Sequence, residues 1–171
     1  VVLHGTNATS TSQTGFMNDT LPTSSVIHLK DDADTNGSGN NMLAYVFTDI
    51  PGFSKHSSFV GDGNNGGPYL FLGFKPSFFL CKNAGNSGVN WAIIDNKRTT
   101  FNPNGINSLY PNDINAENSD SASDRGIDFL STGIKIRNDD HMYNQSGQTI
   151  IYSAFASVPL VGTNNVPALG V

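Results

Sequence analysis

Short apolar runs alternate with polar turns along most of this chain. The runs are about five to seven residues long, are rich in aromatic and β-branched side chains, and are separated by clusters of glycine, asparagine and proline. Strands at such spacing are typical of a β-sandwich or a β-barrel. The pattern predicts strands at 26–29, 42–48, 53–60, 69–74, 76–82, 89–95, within 127–137, and at 149–155.

One pattern occurs twice, at an offset of 144 − 36 = 108 residues. Residues 36–47 and residues 144–155 each place a polar turn before an apolar strand. Coincidence in a chain rich in Asn, Ser and Gly is the alternative explanation. A true repeat predicts three parts: a linker or arm at 1–24, a strand pair at 25–48 that resembles the end of a preceding repeat unit, and a main β-sandwich unit at 49–171.

Composition excludes several classes of protein. Only 13% of residues are charged, and the formal net charge of −5 provides no basic field for a phosphate backbone, so we expect no nucleic-acid binding. No apolar run approaches the roughly 20 residues that span a bilayer, so we expect no membrane insertion. Cys81 is the single cysteine, which excludes an internal disulfide and a cysteine zinc site and favours burial as a small hydrophobe.

An acidic turn offers candidate calcium ligands. Asp32, Asp34 and Asn36 alternate ahead of Gly37, as in the first half of a calcium-binding loop. Leu43 stands at the twelfth position, where a bidentate Glu would complete the shell. A plain solvated turn is therefore the simpler interpretation, and we expect no cofactor, with calcium as the alternative.

Trp91, Asp95 and Arg98 form the best candidate glycan site, with Tyr110 as a further aromatic. On a strand Trp91 and Asp95 share one face, so an aromatic platform beside a carboxylate could stack a sugar ring. The alternative is structural: Trp91 as a core aromatic, and Asp95 with Arg98 as an ion pair at the strand end.

Candidate catalytic groups are few. Glu117 is the only Glu and lies in an Asn/Ser loop, the four histidines are dispersed, and no serine has a nucleophile-elbow setting. The glycines at 61, 63 and 66 have the spacing of the Gly-x-Gly-x-x-Gly motif of dinucleotide-binding proteins. A predicted strand follows them, however, where that motif requires a helix. We therefore predict a non-enzymatic protein, with a carboxyl pair such as Asp95 and Asp128 as the open alternative.

Several motifs in order resemble a recurrent domain of tailed-bacteriophage proteins. The order is Gly-Phe-Lys-Pro at 73–76, Trp-Ala-Ile-Ile-Asp-Asn-Lys-Arg at 91–98, Leu-Tyr-Pro-Asn at 109–112, and Asn-x-Ser-Gly at 144–147 before a Tyr/Ala/Phe strand. The chain is similar over about residues 20–167 to tail-fibre or minor structural proteins of marine phages, which are related to the concanavalin-like lectin sandwich. The aspartates at 31–34 depart from the usual turn of that family.

The resemblance implies an all-β, antiparallel β-sandwich of jelly-roll or lectin-like type with long polar loops. It further implies a virion structural protein on the exterior of the tail or capsid, most simply a tail-fibre or tail-associated protein. Such a protein would contact other virion proteins, form a homo-oligomer, typically a trimer, and attach to a bacterial surface glycan. The alternatives are a capsid fibre or decoration protein, or a secreted carbohydrate-binding, lectin-like domain.

Overall fold

A computed structural model describes residues 5–9, 17–18, 20–98, 106–120 and 125–158. These residues contain one short helix and nine strands: α1 (Ala33–Asn36), β1 (Ser54–Val60), β2 (Tyr69–Phe71), β3 (Pro76–Asn83), β4 (Trp91–Asp95), β5 (Ile106–Ser108), β6 (Asn118–Asp120), β7 (Arg125–Leu130), β8 (Gly133–Asn138) and β9 (Thr149–Ala156). The chain divides into two compact units. The first lies within residues 9–46, and the second comprises residues 5–8 and the chain from Phe47 onward.

The second unit is built from two antiparallel sheets. A four-stranded sheet has the order β1-β9-β3-β4, a three-stranded sheet has the order β2-β8-β7, and β5 pairs with β6 in a separate hairpin. The prediction of an all-β, antiparallel β-sandwich is confirmed, while jelly-roll connectivity stays a prediction.

The hydrophobic core takes alternate residues from both sheets. Because successive side chains of a strand point to opposite faces, each strand contributes every second residue. The four-stranded sheet contributes Phe79, Cys81, Ala92, Ile94, Ile150, Tyr152 and Ala154, and the three-stranded sheet with its flanks contributes Leu70, Leu72, Ile127, Ile134 and Ile136. Cys81 is buried, as predicted, and each large side chain in this layer stabilises the fold by about 1.5–3 kcal/mol.

The opposite face of the four-stranded sheet carries a cluster of aromatic rings around Phe155. The rings of Phe47, Phe53, His56 and Phe78 lie with their centroids 5.5–6.0 Å from that of Phe155. The residues of β1, β3 and β9 that face outward at this end are therefore partly covered by residues 47–53, which precede β1.

Two predicted strands are wrong. Residues 26–29 and 42–48 are not in strands, and the predicted polar turn between them contains helix α1. The reason is that a strand requires a ladder partner, which local sequence does not supply. The surface excursion predicted at 96–126 lies partly outside the described residues, and its described part holds the hairpin of β5 and β6. The division between the two compact units falls after Val46, and the three predicted domains stay predictions.

Candidate functional site

Trp91 begins β4 at the edge of the four-stranded sheet. Its side chain is half-buried and points away from the core, on the same face as Ile93 and Asp95. The chain at 109–112 runs along this edge, since Ile93 and Leu109 exchange both main-chain hydrogen bonds. The Trp91 amide then donates to Asn112 Oδ1 at 2.8 Å, which fixes the following loop beside the main chain of Trp91.

A network of amide and carboxylate groups surrounds that loop. Asn112 Nδ2 donates to Asn90 Oδ1 at 2.8 Å, and Asn90 Nδ2 donates to Asp113 Oδ2 at 3.2 Å. Asp113 also accepts from the main-chain and side-chain amides of Asn115. We call Trp91, Asn90, Asn112, Asp113 and Asn115 the Trp91 cluster.

The Trp91 cluster combines an aromatic surface with oriented polar groups. Hydrogen bonds from Asn115 hold the pKa of Asp113 below its usual range, so this carboxylate is an acceptor at neutral pH. Asn112 and Asn115 are exposed, and Asn90 is half-buried. Half-buried rings beside fixed amides suit a sugar, because the ring face contacts apolar C–H groups while amides and carboxylates bind hydroxyls.

Asp95 and Arg98 are brought together at the other end of β4. The Arg98 Nε lies 2.6 Å from Asp95 Oδ2, and Asp95 Oδ1 accepts from the main-chain amides of Lys97 and Arg98. Burial alone would raise the pKa of Asp95, but these hydrogen bonds outweigh it and lower the pKa. The carboxylate thus closes the turn after β4.

Trp91 and Tyr110 are separate from that ion pair. Four residues along a strand place Trp91 about 13 Å from Asp95. Tyr110 packs against the hydrophobic core. Of the four predicted glycan-site residues, Asp95 and Arg98 form a hydrogen-bonded ion pair, and the Trp91 amide bonds to Asn112.

The residues that sequence reasoning missed are asparagines. Asn90, Asn112 and Asn115 belong to polar turns that composition alone marks as solvated. They lie beside the main chain of Trp91 because residue 109 forms a bridge with Ile93. That bridge is not visible in the sequence.

The candidate calcium ligands lie at helix α1. Asp32 is the N-cap of α1, and its Oδ1 accepts from the Asp34 amide at 2.9 Å, so the carboxylate satisfies a helix donor. Asp34 and Asn36 are exposed. Within the described ranges, no group of three or more His, Cys, Asp or Glu side chains is arranged to hold a metal ion. Calcium binding therefore stays an untested alternative.

Lys82 is a buried cation on β3. Its side chain has 0% exposure, and Nζ donates to the carbonyl oxygens of Asn83 at 3.1 Å and Val89 at 2.7 Å. Because burial disfavours the charged ammonium, the pKa of Lys82 is lowered. The bond to Val89 holds the 84–90 loop against β3, where Lys82 pairs with Trp91.

The lowered pKa of Lys82 predicts a pH dependence of stability. The unfolded chain keeps this proton up to about pH 10.5, while the folded chain releases it at lower pH, so the free energy of unfolding should rise with pH between the two values. Relative to Lys82→Met, the wild type should gain stability across that interval, by at most about 1.4 kcal/mol per pH unit.

Urea unfolding of both proteins between pH 7 and pH 10.5 measures this difference, with the exposed Lys97→Met as the matched control. A difference between wild type and Lys82→Met that is constant with pH would show that the buried ammonium keeps its ordinary pKa.

A buried asparagine ties two loops of the sandwich together. Asn144 has 0% exposure; its Oδ1 accepts from the Asp62 amide at 2.9 Å, and its Nδ2 donates to Asp62 Oδ1, the Asn64 carbonyl and the Asn138 carbonyl at 2.8–3.0 Å. Gly61 lies so close that a Cβ there would stand 2.7 Å from the Asn144 carbonyl carbon. Asn144 therefore holds the 61–64 loop against the turn that precedes β9.

Comparison with known proteins places the chain in a family. None of the helices in the described part of the chain is long and apolar enough to cross a membrane. No curated protein and no solved structure matches the chain. The model of the family DUF7483, a domain of unknown function, matches residues 1–159. Since that match covers most of its 171 residues, the chain belongs to the DUF7483 family.

Proposed function

We propose that this chain is a non-enzymatic structural protein of a tailed-phage particle, in a tail fibre or a tail-associated protein on the virion exterior. The order of motifs described above motivates the phage assignment, and the antiparallel β-sandwich is a suitable scaffold for it. In this role the sandwich contacts other virion proteins and presents the Trp91 cluster to a glycan of the bacterial surface.

The observation that carries glycan attachment is the Trp91 cluster. The Asn112 side chain accepts from the Trp91 amide and donates to Asn90, so its orientation is set before any ligand arrives. Preorganised polar groups lose little conformational entropy on binding. A pyranose lying on the indole would place its hydroxyls towards Asn112 and Asp113.

The charge state of four described carboxylates favours a role as hydrogen-bond acceptors. A glycosidase needs one carboxyl group whose pKa is raised so that it can protonate the leaving group. The described carboxyl groups with resolved pKa shifts, Asp49, Asp62, Asp95 and Asp113, all have lowered pKa values. These groups suit hydrogen-bond acceptance.

Glycan-array screening of the wild-type chain, followed by titration of the best ligand, tests this site. We expect Trp91→Ala to raise the dissociation constant at least about tenfold, because the stacking surface is lost. Phe71→Ala is the matched control, since Phe71 is 69% exposed on the other sheet. Circular dichroism of both variants serves as the control for folding. Equal binding by the two variants would remove the Trp91 cluster from the proposal.

Particle location is tested separately by immunogold labelling of the phage that encodes the chain. We expect label on the tail, and label on the capsid would favour the alternative of a capsid fibre or decoration protein. Glycan binding without any particle label would favour the secreted lectin-like alternative, which the Trp91 cluster also suits. Absence of both results would refute the proposed function.

A further inference from the structure

Two turns of this chain, 32–40 and 140–148, share a set of hydrogen bonds at the offset of 108 residues, although only the first contains a helical turn, α1. In each turn the first residue is an Asp whose main-chain carbonyl accepts two main-chain hydrogen bonds, and a third bond closes the end of the turn. The amides of Asn36 and Asn144 donate to the carbonyls of Asp32 and Asp140, both at 2.8 Å. The amides of Thr35 and Tyr143 donate to the same two carbonyls, at 3.2 and 3.1 Å. The amides of Asn40 and Gln148 donate to the carbonyls of Gly37 and Gln145, both at 3.1 Å.

Side-chain and backbone details repeat as well. Asp32 Oδ1 accepts from the Asp34 amide at 2.9 Å, and Asp140 Oδ1 accepts from the Met142 amide at 2.7 Å. Gly39 and Gly147 have φ angles of 76° and 74°, in the left-handed region that favours glycine. Agreement of bonds and dihedral angles at one fixed offset is not expected from shared composition.

The second turn leads into β9, one of the two inner strands of the four-stranded sheet. β9 is hydrogen-bonded to β1 on one side and to β3 on the other. Ile150, Tyr152 and Ala154 face the core and are buried. The turn at 140–148 is therefore the entry to a strand that needs two neighbours.

The first turn leads into residues 41–46, which we call the free segment. Within the described part of the chain, these residues make no main-chain hydrogen bond. Leu43, Tyr45 and Val46 are 77%, 78% and 66% exposed. A run of apolar residues with an unpaired backbone is a template for pairing with another sheet.

The free segment has the side-chain pattern of β9. At the offset of 108, Met42, Ala44 and Val46 stand at the positions of Ile150, Tyr152 and Ala154, which face the core. Leu43 and Tyr45 stand at the outward positions. The inward set is entirely apolar, as a sandwich interior requires.

We infer that the free segment is a ninth strand for another sandwich unit of this same family, one whose own ninth-strand position is open. It inserts antiparallel between the first and third strands of that unit, with Met42, Ala44 and Val46 facing the core of the unit. The position in this chain is filled by β9, so the acceptor is a different unit. The partner is recognised by main-chain hydrogen bonds on two sides and by an apolar groove between two strands.

Peptide complementation tests this inference and is independent of the glycan and phage proposals. The acceptor is the full chain with Ile150→Asp and Ala154→Asp, which prevent β9 from packing, and with Ala44→Asp, which disables the free segment of the acceptor. Peptides of residues 140–156 and 32–48 are added separately, and thermal unfolding and fluorescence anisotropy are measured.

We expect the 32–48 peptide to restore cooperative unfolding and to bind within about 100-fold of the 140–156 peptide. Ala44→Asp in the peptide should abolish this effect, because it places a charge in the core, whereas Tyr45→Asp on the outer face should reduce binding by less than about tenfold. Peptides that respond equally to the two substitutions would overturn the inference.

A tethered version keeps the test decisive if free peptides bind too weakly. The same segment is joined to the acceptor through a flexible Gly/Ser linker, which raises its effective concentration to the millimolar range. The tethered segment should restore a cooperative transition that its Ala44→Asp version lacks. Identical unfolding of the two tethered proteins would overturn the inference.

Discussion

Replacement of Asn144 by alanine should lower the free energy of unfolding by about 3–5 kcal/mol. The substitution removes four hydrogen bonds and leaves the Asp62 amide and the Asn64 and Asn138 carbonyls without that partner. A buried polar group without a partner costs about 1–3 kcal/mol, so the losses accumulate within one small region.

Asn36 provides the matched control for this prediction. It occupies the equivalent position of the repeated turn, but its side chain is exposed. Urea unfolding of Asn36→Ala should therefore differ from wild type by less than about 0.5 kcal/mol. Equal destabilisation by the two substitutions would mean that the turn conformation, and not the buried side-chain network, determines the effect.

Phe79→Ala should destabilise the sandwich by about 3–5 kcal/mol, because it opens a cavity between the two sheets. Phe79 is 1% exposed, and its ring centroid lies 5.7 Å from that of Tyr152. The neighbouring Phe78 points to the opposite face and is half-buried. Phe78→Ala should therefore cost clearly less, about 1–2 kcal/mol.

Guanidinium unfolding followed by far-UV circular dichroism measures both phenylalanine variants. The larger midpoint shift should belong to Phe79→Ala, with little change in the denaturant slope. A larger destabilisation by Phe78→Ala would mean that Phe78, and not Phe79, faces the core. The pairing of Phe79 with Ala154 and with Ile94 would then be wrong.

The strands of the four-stranded sheet were the most predictable part of this molecule. β3, β4 and β9 lie within about two residues of apolar runs bounded by Gly, Asn or Pro, because those residues both end a ladder and form turns. Residues 42–48 have the same pattern and yet form no strand. The hydrophobic pattern of a segment shows that it can form a strand, whereas the availability of neighbouring strands determines whether it does.

The candidate site was less predictable because it depends on side chains distant in sequence. Alternation placed Trp91 and Asp95 on one face correctly, but it could not bring Asn112 to the edge of β4. In a chain this rich in asparagine, composition also does not indicate which asparagines are buried. Asn83, Asn138 and Asn144 are fully buried, while Asn112 and Asn115 are exposed.

The inner position of β9 has a consequence for biosynthesis. Within its sheet, β1 pairs only with β9, which is the last described strand to leave the ribosome. Until residue 156 has emerged from the exit tunnel, β1 and β3 lack the strand that pairs with their facing main-chain edges. Such long-range pairing is slow and exposes the chain to aggregation, so recovery of native protein on expression should depend on temperature and chaperone supply.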